Sequence, residues 1–241
     1  MNCGIVIIPT YNEIENIESI VRAVFSLHKP FHVLIVDDNS PDKTADKVRE
    51  LQSEFSEQLF LEVRTKKAGL GTAYVHGFKW ALARNYEFIF EMDADFSHNP
   101  QDLERLYEAC HFGGADLAIG SRYVTGVNVV NWPLSRVLLS YFASVYVRMI
   151  TGMKIMDATA GFICYNRNVL ESINLDKIKF IGYAFQIEMK YRVFSKNFNI
   201  QEVPVIFTDR TKGQSKMSGS IIKEAIFGVL SLRIKKFFNR L

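Results

Sequence analysis

The sequence predicts an α/β fold with a mainly parallel central sheet and helices on both faces. Short apolar, β-rich runs alternate with helically periodic segments over the first 120 of 241 residues, and such alternation is typical of a parallel sheet. The chain length suits one substantial domain. Polar turn motifs follow directly after the apolar runs, which is where ligands bind in open α/β sheets.

The first half of the chain is expected to contain five strands and four helices. Apolar runs place the strands at residues 4–8, 32–36, 59–63, 88–91 and 117–119. Helical periodicity places the helices at residues 14–25, 44–55, 71–83 and 100–110.

The second half follows a less regular pattern. A helix is expected after Trp132 and Pro133, then a strand at 161–165, a helix at 185–194 and a strand at 200–207. A loop rich in Lys, Ser and Gly follows, and a final helix runs from about residue 220 to residue 240. We therefore expect a main domain over residues 1–219 and a basic amphipathic helix over residues 220–241.

Charge is distributed unevenly between the two halves. Residues 1–120 carry 11 Lys and Arg against 19 Asp and Glu, whereas residues 121–241 carry 18 against 7. An acidic half suits a metal site, and a basic half suits phosphate groups or an anionic membrane surface. The chain has no nucleic-acid recognition motif and no pattern of basic residues interleaved with aromatic ones, so no nucleic-acid partner is expected.

No segment predicts export or membrane crossing. No basic region precedes the first apolar run, so a signal peptide is not expected. The longest apolar candidate, residues 132–152, contains Arg136 and Arg148, which argues against a spanning helix. The three cysteines are far apart and lack metal-ligand spacing, which is typical of reduced core residues in a cytosolic protein.

An Asp-x-Asp motif, Asp93-Ala94-Asp95, follows the apolar run at residues 86–90. At a strand end, both carboxylates can point into the crevice beside the sheet, where a hard divalent cation links them to diphosphate oxygens. The alternative is a capped turn in which Asp95 or Asn99 accepts hydrogen bonds from the next helix.

Three further turns end or follow apolar runs. In the acidic turn at 36–42, Asp38 is a candidate nucleoside ligand and Asp42 or Ser40 a candidate helix cap. Alternatively, the acidic pair in this turn belongs to a phosphoacceptor domain, which also has such a pair near a strand end. That interpretation does not explain the basic second half of the chain. The turn at 9–13 has a simpler interpretation as a helix start capped by Asn12, with Glu13 at the helix N-terminus. The glycine loop at 66–72 lacks Walker spacing and is better interpreted as a turn into a helix.

Taken together, these motifs resemble those of dolichyl-phosphate, or polyprenyl-phosphate, mannosyltransferases. The resemblance covers nearly the whole chain, and the joint pattern is far more specific than any single motif. It implies a GT-A fold, an inverting glycosyltransferase of family 2 and GDP-mannose as the donor. The matching segments are Pro9-Thr10-Tyr11-Asn12-Glu13, residues 36–42, Gly69-Leu70-Gly71-Thr72-Ala73-Tyr74, Asp93-Ala94-Asp95, Gly120-Ser121-Arg122-Tyr123, Asn131-Trp132-Pro133 with Arg136, Ala160-Gly161-Phe162, residues 182–188 and residues 210–216.

The resemblance also implies roles for individual residues on the donor side. Asp93 and Asp95 would hold Mg²⁺ or Mn²⁺ on the diphosphate, and Ala94 would contact the donor through its backbone. Arg210 and Lys216 would bind phosphate groups from a loop that closes over the donor. The residues that would hold the guanosine part are Pro9, Tyr11, Glu13, Val36 and Asp38.

On the acceptor side, the resemblance places Arg122 at the junction of donor and acceptor, and Arg136 and Ser140 against a lipid phosphate. Asp95, Arg122 and Arg136 would carry the catalysis. The spacing of Arg136, Ser140, Ser144 and Arg148 independently predicts a polar stripe on an otherwise apolar helix. Such a helix either exposes its charged face to water or lies near lipid.

The C-terminal helix has the same two interpretations. Its broad apolar face and excess of Lys and Arg over the single Glu224 suit a membrane interface. The alternative is a helix docked on the core. Some relatives carry spanning helices at this end, and none is expected here. The protein would therefore reach the cytoplasmic face of a membrane peripherally, through its own helices or a small membrane-protein partner.

The predicted reaction is a displacement with inversion at the anomeric carbon. A phosphate acceptor needs no general base, because its second pKa is near 6 and it is largely dianionic at neutral pH. If the acceptor were a hydroxyl, Glu188 and Asp157 would be the candidate bases. Replacing either residue with its amide is expected to leave transfer to a phosphate largely intact. Two alternatives stay open: a family 2 enzyme using UDP-glucose or another donor, and a non-catalytic nucleotide-binding regulator at a membrane.

Overall fold

Nine strands are present in the computed structural model, which describes residues 4–182, 184–210, 228–234 and 236. Seven of these strands form the main sheet, and its inner strands are apolar on both faces. The other two strands have two residues each and lie apart from that sheet. The strands are β1 (Gly4–Thr10), β2 (Phe31–Asp37), β3 (Leu59–Val63), β4 (Phe88–Glu91), β5 (Leu117–Ser121), β6 (Val129–Val130), β7 (Ile163–Asn166), β8 (Ile200–Pro204) and β9 (Phe207–Thr208).

Seven α-helices and one 3₁₀ turn (Leu175–Lys177) connect these strands. Residues 228–234 are also helical. The helices are α1 (Ile17–Phe25), α2 (Thr44–Gln52), α3 (Leu70–Ala83), α4 (Asp102–His111), α5 (Leu134–Thr151), α6 (Arg167–Ser172) and α7 (Ala184–Ser195).

The main sheet has the strand order β3-β2-β1-β4-β7-β5-β8. All neighbouring pairs are parallel except those of β7, which runs antiparallel to both β4 and β5. β6 and β9 form a separate parallel pair. The prediction of a mainly parallel sheet is confirmed, and the reversed β7 is its one exception among the seven strands.

Apolar residues pack on both faces of the sheet, as the continuous apolar strands predict. In β1, Ile5 and Ile7 belong to one buried cluster, and Val6 and Ile8 belong to the other. Helix α3 packs closely on β1 because Gly77 has no side chain; a Cβ there would lie 2.6 Å from Ile7 Cγ2. This close packing brings the first turns of α3 to the edge where β1 and β4 end.

The predicted bounds of most elements differ from the structure by one to three residues. β3 and β4 have the predicted bounds, whereas α1 begins at Ile17 instead of residue 14. The delay arises because the Glu13 carbonyl accepts hydrogen bonds from Asn16 and Ile17, forming a turn before the helix. The predicted strand at 200–207 is interrupted and becomes β8 and β9, while β6 and α6 were not predicted.

The C-terminal segment is described only in part. At residues 228–234, Val229 and Leu232 are 1% exposed and join one of the core clusters, so this portion is docked on the core. Leu230 and Ile234 on the same segment are exposed. The predicted loop at 211–219, and the rest of the predicted helix except residue 236, lie outside the described residues.

Two sequence-based expectations concern the membrane and the cysteines. Across the described residues, no helix combines the length and hydropathy that a bilayer span requires. Cys110 and Cys164 are buried and free, as the prediction of reduced core cysteines requires, and Cys3 lies outside the described residues.

Candidate active site

A cleft of about 400 Å³ opens at the edge of the sheet where β4 and β5 end. It extends from the Asp-x-Asp turn to α5 and reaches Val229 of the C-terminal segment. The cleft is lined by six of the predicted site residues, which are Asp93, Asp95, Arg122, Arg136, Ser140 and Arg210. The structure therefore brings together residues that are up to 117 positions apart in the sequence, from Asp93 to Arg210.

Asp93 and Asp95 form the acidic end of the cleft. Asp95 makes an ion pair with Arg210, with 2.8 Å between Oδ2 and the guanidinium nitrogen, and its Oδ1 accepts a hydrogen bond from the Ser97 amide. Burial, and then the neighbouring Asp95 carboxylate, raise the pKa of Asp93 to about 7. Burial and the neighbouring carboxylate thus both oppose ionisation of Asp93.

The chemistry of this end fits a hard divalent cation. The two carboxylates supply oxygen ligands of the type that Mg²⁺ and Mn²⁺ prefer. The buried Ser97 hydroxyl, which also lines the cleft, has no hydrogen-bond partner in the described part of the chain. Among those residues no group of three His, Cys, Asp or Glu side chains is placed to hold a metal ion.

The capped-turn alternative also describes part of this turn. Asn99, and not Asp95, accepts the hydrogen bond from Gln101 at the start of α4, at 3.2 Å. Among the described residues, Asp95 accepts a hydrogen bond from the Ser97 amide and forms an ion pair with Arg210. Its orientation into the cleft is therefore not explained by capping.

Arg122 lies in the cleft wall directly after β5, held by Asp157. Its Nε and one terminal nitrogen contact the two Asp157 oxygens at 2.7 and 2.6 Å, and it also donates to Thr159 at 2.8 Å. Although burial alone would raise the pKa of Asp157, the Arg122 guanidinium holds that pKa below its usual range. Since Arg122 is 7% exposed and Asp157 fully buried, the guanidinium has a fixed orientation.

The other end of the cleft lies against α5. Arg136 stacks on Trp132, with the guanidinium carbon 4.0 Å from the ring centre, and pairs with Asp209 at 2.8 Å. Ser140 lies one turn further along the helix. The remaining wall is apolar and is formed by Leu139, Phe142, Ala143, Tyr146, Val147, Ile187 and Val229. A cationic group beside an apolar wall suits a phosphate attached to a hydrocarbon.

The predicted polar stripe of α5 is divided between different surroundings. Arg136 and Ser140 line the cleft, whereas Ser144 is buried and Arg148 contacts the Met156 sulfur. The opposite face exposes apolar side chains: Leu134 is 71% exposed and Met149 72%. The prediction of an apolar exposed helix face is confirmed, while the stripe itself is not one continuous solvent face.

The residues predicted to hold a nucleoside lie at the neighbouring strand ends, outside the cleft lining. Pro9 and Val36 are register partners of the parallel strands β1 and β2. Asp38 pairs with Arg64 at 2.5 Å and accepts a hydrogen bond from the Ala68 amide.

The first turn is tied to the second by hydrogen bonds. The Asn12 amide donates to the Ser40 hydroxyl, and the Ile14 amide donates to Asp42. Asp42 also accepts from the Thr44 amide at the start of α2, so its predicted capping role is confirmed. Asn12 lies before the turn that precedes α1 and does not cap that helix, so this interpretation was wrong. Near this turn, the Lys67 ammonium lies 4.2 Å from the centre of the Tyr11 ring.

The remaining predicted residues are Ala94, Glu13 and Lys216. Ala94 is buried within the Asp-x-Asp turn. The Glu13 carboxylate accepts a hydrogen bond from Asn16 at 2.9 Å. Lys216 lies outside the described residues.

Neither candidate base is placed to remove a proton from a substrate. Asp157 is occupied by Arg122, and Glu188 is fully buried against Arg192 and the backbone amides of Lys179 and Phe180. Neither side chain lines the cleft. Their substitution would therefore act through the fold, so the amide test does not identify the acceptor.

Several cleft residues were not identified from the sequence. His98 and Gln186 line the cleft, and burial lowers the pKa of His98 to about 4. Behind them, Glu91 is buried with Tyr165 and Gln186 as hydrogen-bond donors, and burial raises its pKa to about 7. The available signals were the position of His98 five residues after Asp93 and the place of Gln186 in the matching segment at residues 182–188.

Comparison with known proteins identifies the family. The family model described as Glycosyl transferase family 2 matches residues 5–173. Polyprenol monophosphomannose synthase of Mycolicibacterium smegmatis is 48% identical over 236 residues, covering 98% of this chain and 89% of that protein. Undecaprenyl-phosphate mannosyltransferase of Micrococcus luteus is 45% identical, covering 92% of this chain and 90% of that protein.

A solved structure of the same fold is glucosyl-3-phosphoglycerate synthase of Mycobacterium tuberculosis, crystallised with Mn²⁺, UDP and glucosyl-3-phosphoglycerate. The two structures share a TM-score of 0.68 at 16% identity, covering 98% of this chain and 80% of the other. The fold is therefore GT-A, as the resemblance implied. With a family match over most of its length and two closely similar mannosyltransferases, the chain belongs to glycosyl transferase family 2, in its polyprenyl-phosphate mannosyltransferase group, and is a glycosyltransferase.

Proposed function

We propose that this enzyme transfers mannose from GDP-mannose to a polyprenyl monophosphate of the dolichyl or undecaprenyl type. One observation carries the proposal: the same cleft holds two carboxylates at one end and Arg136 with Ser140 beside an apolar wall at the other. The first end suits a metal-bound diphosphate and the second suits a lipid phosphate. The names of the two mannosyltransferases similar over the whole chain support the choice of mannose.

The donor occupies the ends of β1, β2 and β4. Its guanosine lies on Pro9, Tyr11, Glu13, Val36 and Asp38, with Asp38 held in place by Arg64. Asp93 and Asp95 would hold Mg²⁺ or Mn²⁺, and Ala94 would contact the donor through its backbone. When bound, the cation neutralises charge that develops on the departing diphosphate. Arg210, already paired with Asp95, and Lys216 add positive charge at the same group.

The acceptor phosphate lies between Arg122 and Arg136, with Ser140 donating a hydrogen bond. One phosphate oxygen attacks the anomeric carbon as the bond from that carbon to the diphosphate breaks, and GDP leaves with the bonding electrons. Attack opposite the leaving group inverts the anomeric configuration. Arg122, fixed by Asp157 and Thr159, orients the phosphate without removing a proton.

The enzyme works at the cytoplasmic face of a membrane, where its lipid substrate lies. The exposed apolar face of α5 contacts the bilayer, and the basic helix predicted over residues 220–241 adds attraction to anionic lipid. Residues 1–219 form the catalytic domain in this arrangement, and Val229 of the following segment contributes to the cleft wall. A small membrane-protein partner would contribute further attachment.

The experiment is transfer of labelled mannose from GDP-mannose to polyprenyl monophosphate by the purified enzyme, with Mg²⁺ or Mn²⁺ and organic extraction. We expect metal-dependent label in the lipid phase and a loss of at least about a hundredfold in Asp95→Asn. Label from UDP-glucose instead would keep the mechanism and reject mannose. Binding of nucleotide without transfer from any sugar donor would reject the enzyme's proposed activity.

A pair of arginines on one helix tests the acceptor site. Arg136→Gln is expected to raise the KM for the lipid phosphate roughly tenfold or more, because a charge-assisted contact is lost. Arg148→Gln removes the same charge from the same helix but lies outside the cleft lining, so its KM should be unchanged. Equal effects of the two substitutions would reject the proposed acceptor site.

A further inference from the structure

The middle of the cleft lies between the donor end and the acceptor end. Because β7 is antiparallel, it begins at the edge where β4 and β5 end: Ile163 is the register partner of both Glu91 and Ile119. The hydrogen bond from the Gly120 amide to the Phe162 carbonyl continues the ladder by one residue at 2.8 Å. Gly161 precedes Phe162 in the chain, and it lines the cleft together with Asp93 and Arg122.

A chain of ring contacts connects the two ends past this point. The His98 ring centre lies 5.4 Å from that of Phe207, and Phe207 lies 5.2 Å from Trp132. Trp132 in turn stacks with Arg136, and Arg122 lies 5.5 Å from the Phe207 ring. His98 is thus connected through the Phe207 ring to the surroundings of both arginines.

His98 is locked in one orientation and one tautomer. Its ring stacks on Phe162 with 4.8 Å between centres and 10° between planes. Its Nδ1 accepts a hydrogen bond from the Asp93 amide at 3.1 Å, so the ring proton resides on Nε2. The described part of the chain supplies no hydrogen-bond acceptor for this Nε2 proton. His98 is 4% exposed and lines the cleft.

Gln186 completes this part of the cleft. It is 2% exposed, and its Nε2 donates to Glu91, which leaves its Oε1 without a partner among the described residues. Gly161 lies between the two side chains: a Cβ there would be 3.5 Å from Gln186 Nε2 and 4.0 Å from His98 Cε1. Both distances are ordinary van der Waals contacts, so the glycine leaves open space that the fold itself does not require.

We infer that His98 donates a hydrogen bond from Nε2 to a hydroxyl of the transferred hexose, which lies over Gly161. The inference rests on the proposed function and assigns a specificity-determining residue to its donor site. A hexose joined to a diphosphate at Asp93 and Asp95, with its anomeric carbon facing a phosphate at Arg122, occupies the space beside His98. A ring N–H fixed in advance recognises a hydroxyl without the entropy cost of ordering a mobile side chain.

Two substitutions separate the two nitrogens of His98. His98→Asn keeps an acceptor near the Nδ1 position but has no atom at the Nε2 position, whereas His98→Gln reaches the Nε2 position with an amide donor. Each variant and the wild type are assayed with the sugar nucleotide that the wild type uses and with its 2-, 3-, 4- and 6-deoxy forms. Calorimetric binding of GDP with Mn²⁺ reports whether the Asp-x-Asp turn is intact.

We expect one deoxy donor to lose roughly three- to tenfold in kcat/KM with the wild type, the effect of one neutral hydrogen bond. The same deoxy donor should lose nothing further with His98→Asn, and His98→Gln should restore part of the discrimination. GDP binding should stay within about twofold in both variants. Identical deoxy profiles for wild type and His98→Asn would overturn the inference, even with the transferase activity established.

Gly161→Ala supplies an independent steric test. Its methyl group is accommodated by the protein but occupies space next to His98 and Gln186. Binding of the intact sugar nucleotide should weaken roughly tenfold, whereas binding of GDP should be unchanged. Equal effects on both ligands, or none, would place the hexose elsewhere. If the wild type transfers no sugar from any nucleotide donor, the proposed function fails and this inference fails with it.

Discussion

The negative charge on the Asp93 carboxylate destabilises the folded state most when no cation is bound. Its folded pKa is about 7 because of burial and the adjacent Asp95 carboxylate, well above the usual value for an aspartate. A raised pKa in an acid means that folding opposes ionisation. The free-energy penalty on folding is absent at low pH, where Asp93 is protonated in both the folded and the unfolded state. It grows between the unfolded and the folded pKa of Asp93 and reaches its full size above about pH 7.

This predicts that Asp93→Asn stabilises the metal-free protein while abolishing transfer. The gain in melting temperature over the wild type should be small near pH 4, increase up to pH 7 and stay constant above it. Thermal unfolding in the presence of a chelator across this range measures it. A gain in melting temperature that shrinks as the pH rises would show that folding does not raise the pKa of Asp93.

Asp157 was a candidate base in the sequence, but its pairing with Arg122 was not predicted because the two residues are 35 positions apart. Removing one partner of a buried ion pair leaves an uncompensated charge and typically costs about 3–5 kcal/mol. We expect Asp157→Asn to lower the melting temperature and to raise the KM for lipid phosphate, since Arg122 would lose its orientation.

Glu188→Gln supplies the comparison for Asp157. It breaks an equally buried pair, with Arg192, away from the cleft lining. It should lower the melting temperature while leaving the KM of the folded fraction unchanged. A similar KM in both variants would remove the orienting role assigned to Asp157.

Helix α5 serves the active site with one face and exposes apolar side chains on the other. Arg136 and Ser140 line the cleft, and Leu134 and Met149 lie outside its lining and are largely exposed. Because the helix is shared, the distance between the acceptor site and the exposed face is fixed by one rigid element. A lipid phosphate reaching Arg136 therefore has its hydrocarbon chain beside this face.

The exposed face can be tested without touching the site. Leu134→Glu combined with Met149→Glu should reduce sedimentation with anionic phospholipid vesicles roughly tenfold, because apolar contact is replaced by charge. Phe112→Glu changes a side chain that is 77% exposed after α4 and is the control. Loss of binding in the control but not in the double variant would place the membrane contact elsewhere.

Periodicity and composition predicted the strands that run parallel, since most of them are apolar runs bounded by a turn. β8 contains Gln201 and Glu202 and was predicted as part of a longer strand at 200–207. Periodicity and composition did not predict the direction of β7, because the sequence of a buried strand is the same in either direction. β6 and β9 are two residues each, too short for a period of two to be recognised. The motifs at strand ends were identified for the same reason that the strands were: a change from apolar to polar residues marks the point where a strand leaves the core.

Across the whole molecule, the site is assembled from both the acidic and the basic halves of the chain. Asp93 and Asp95 come from the first half, and Arg122, Arg136 and Arg210 from the second. Resemblance to a family anticipated these residues, whereas contacts such as Arg122 with Asp157 and His98 with Asp93 depend on side-chain packing. Spacing along the chain contains no information about a contact such as Arg122 with Asp157, whose partners are 35 positions apart.

Binding of substrate should accordingly stabilise the whole fold. At about a hundred times the Kd, a ligand adds about 2.7 kcal/mol, which for a protein of this size corresponds to about 5–10 °C in melting temperature. We expect GDP with Mn²⁺ to produce such a rise, and GDP with a chelator a much smaller one. Calorimetry on wild type and Asp95→Asn tests this; an equal rise with and without metal would show that the two carboxylates do not bind it.

The reversed strand β7 also sets the separation between the acidic turn and Arg122. It inserts one strand between β4 and β5, so the turns that follow them are separated by two inter-strand spacings, roughly 9.5 Å. The backbone thereby leaves room in the cleft for a ligand between the two turns. Substitutions of side chains can change what each turn binds, but bringing the two turns into contact would require a different sheet.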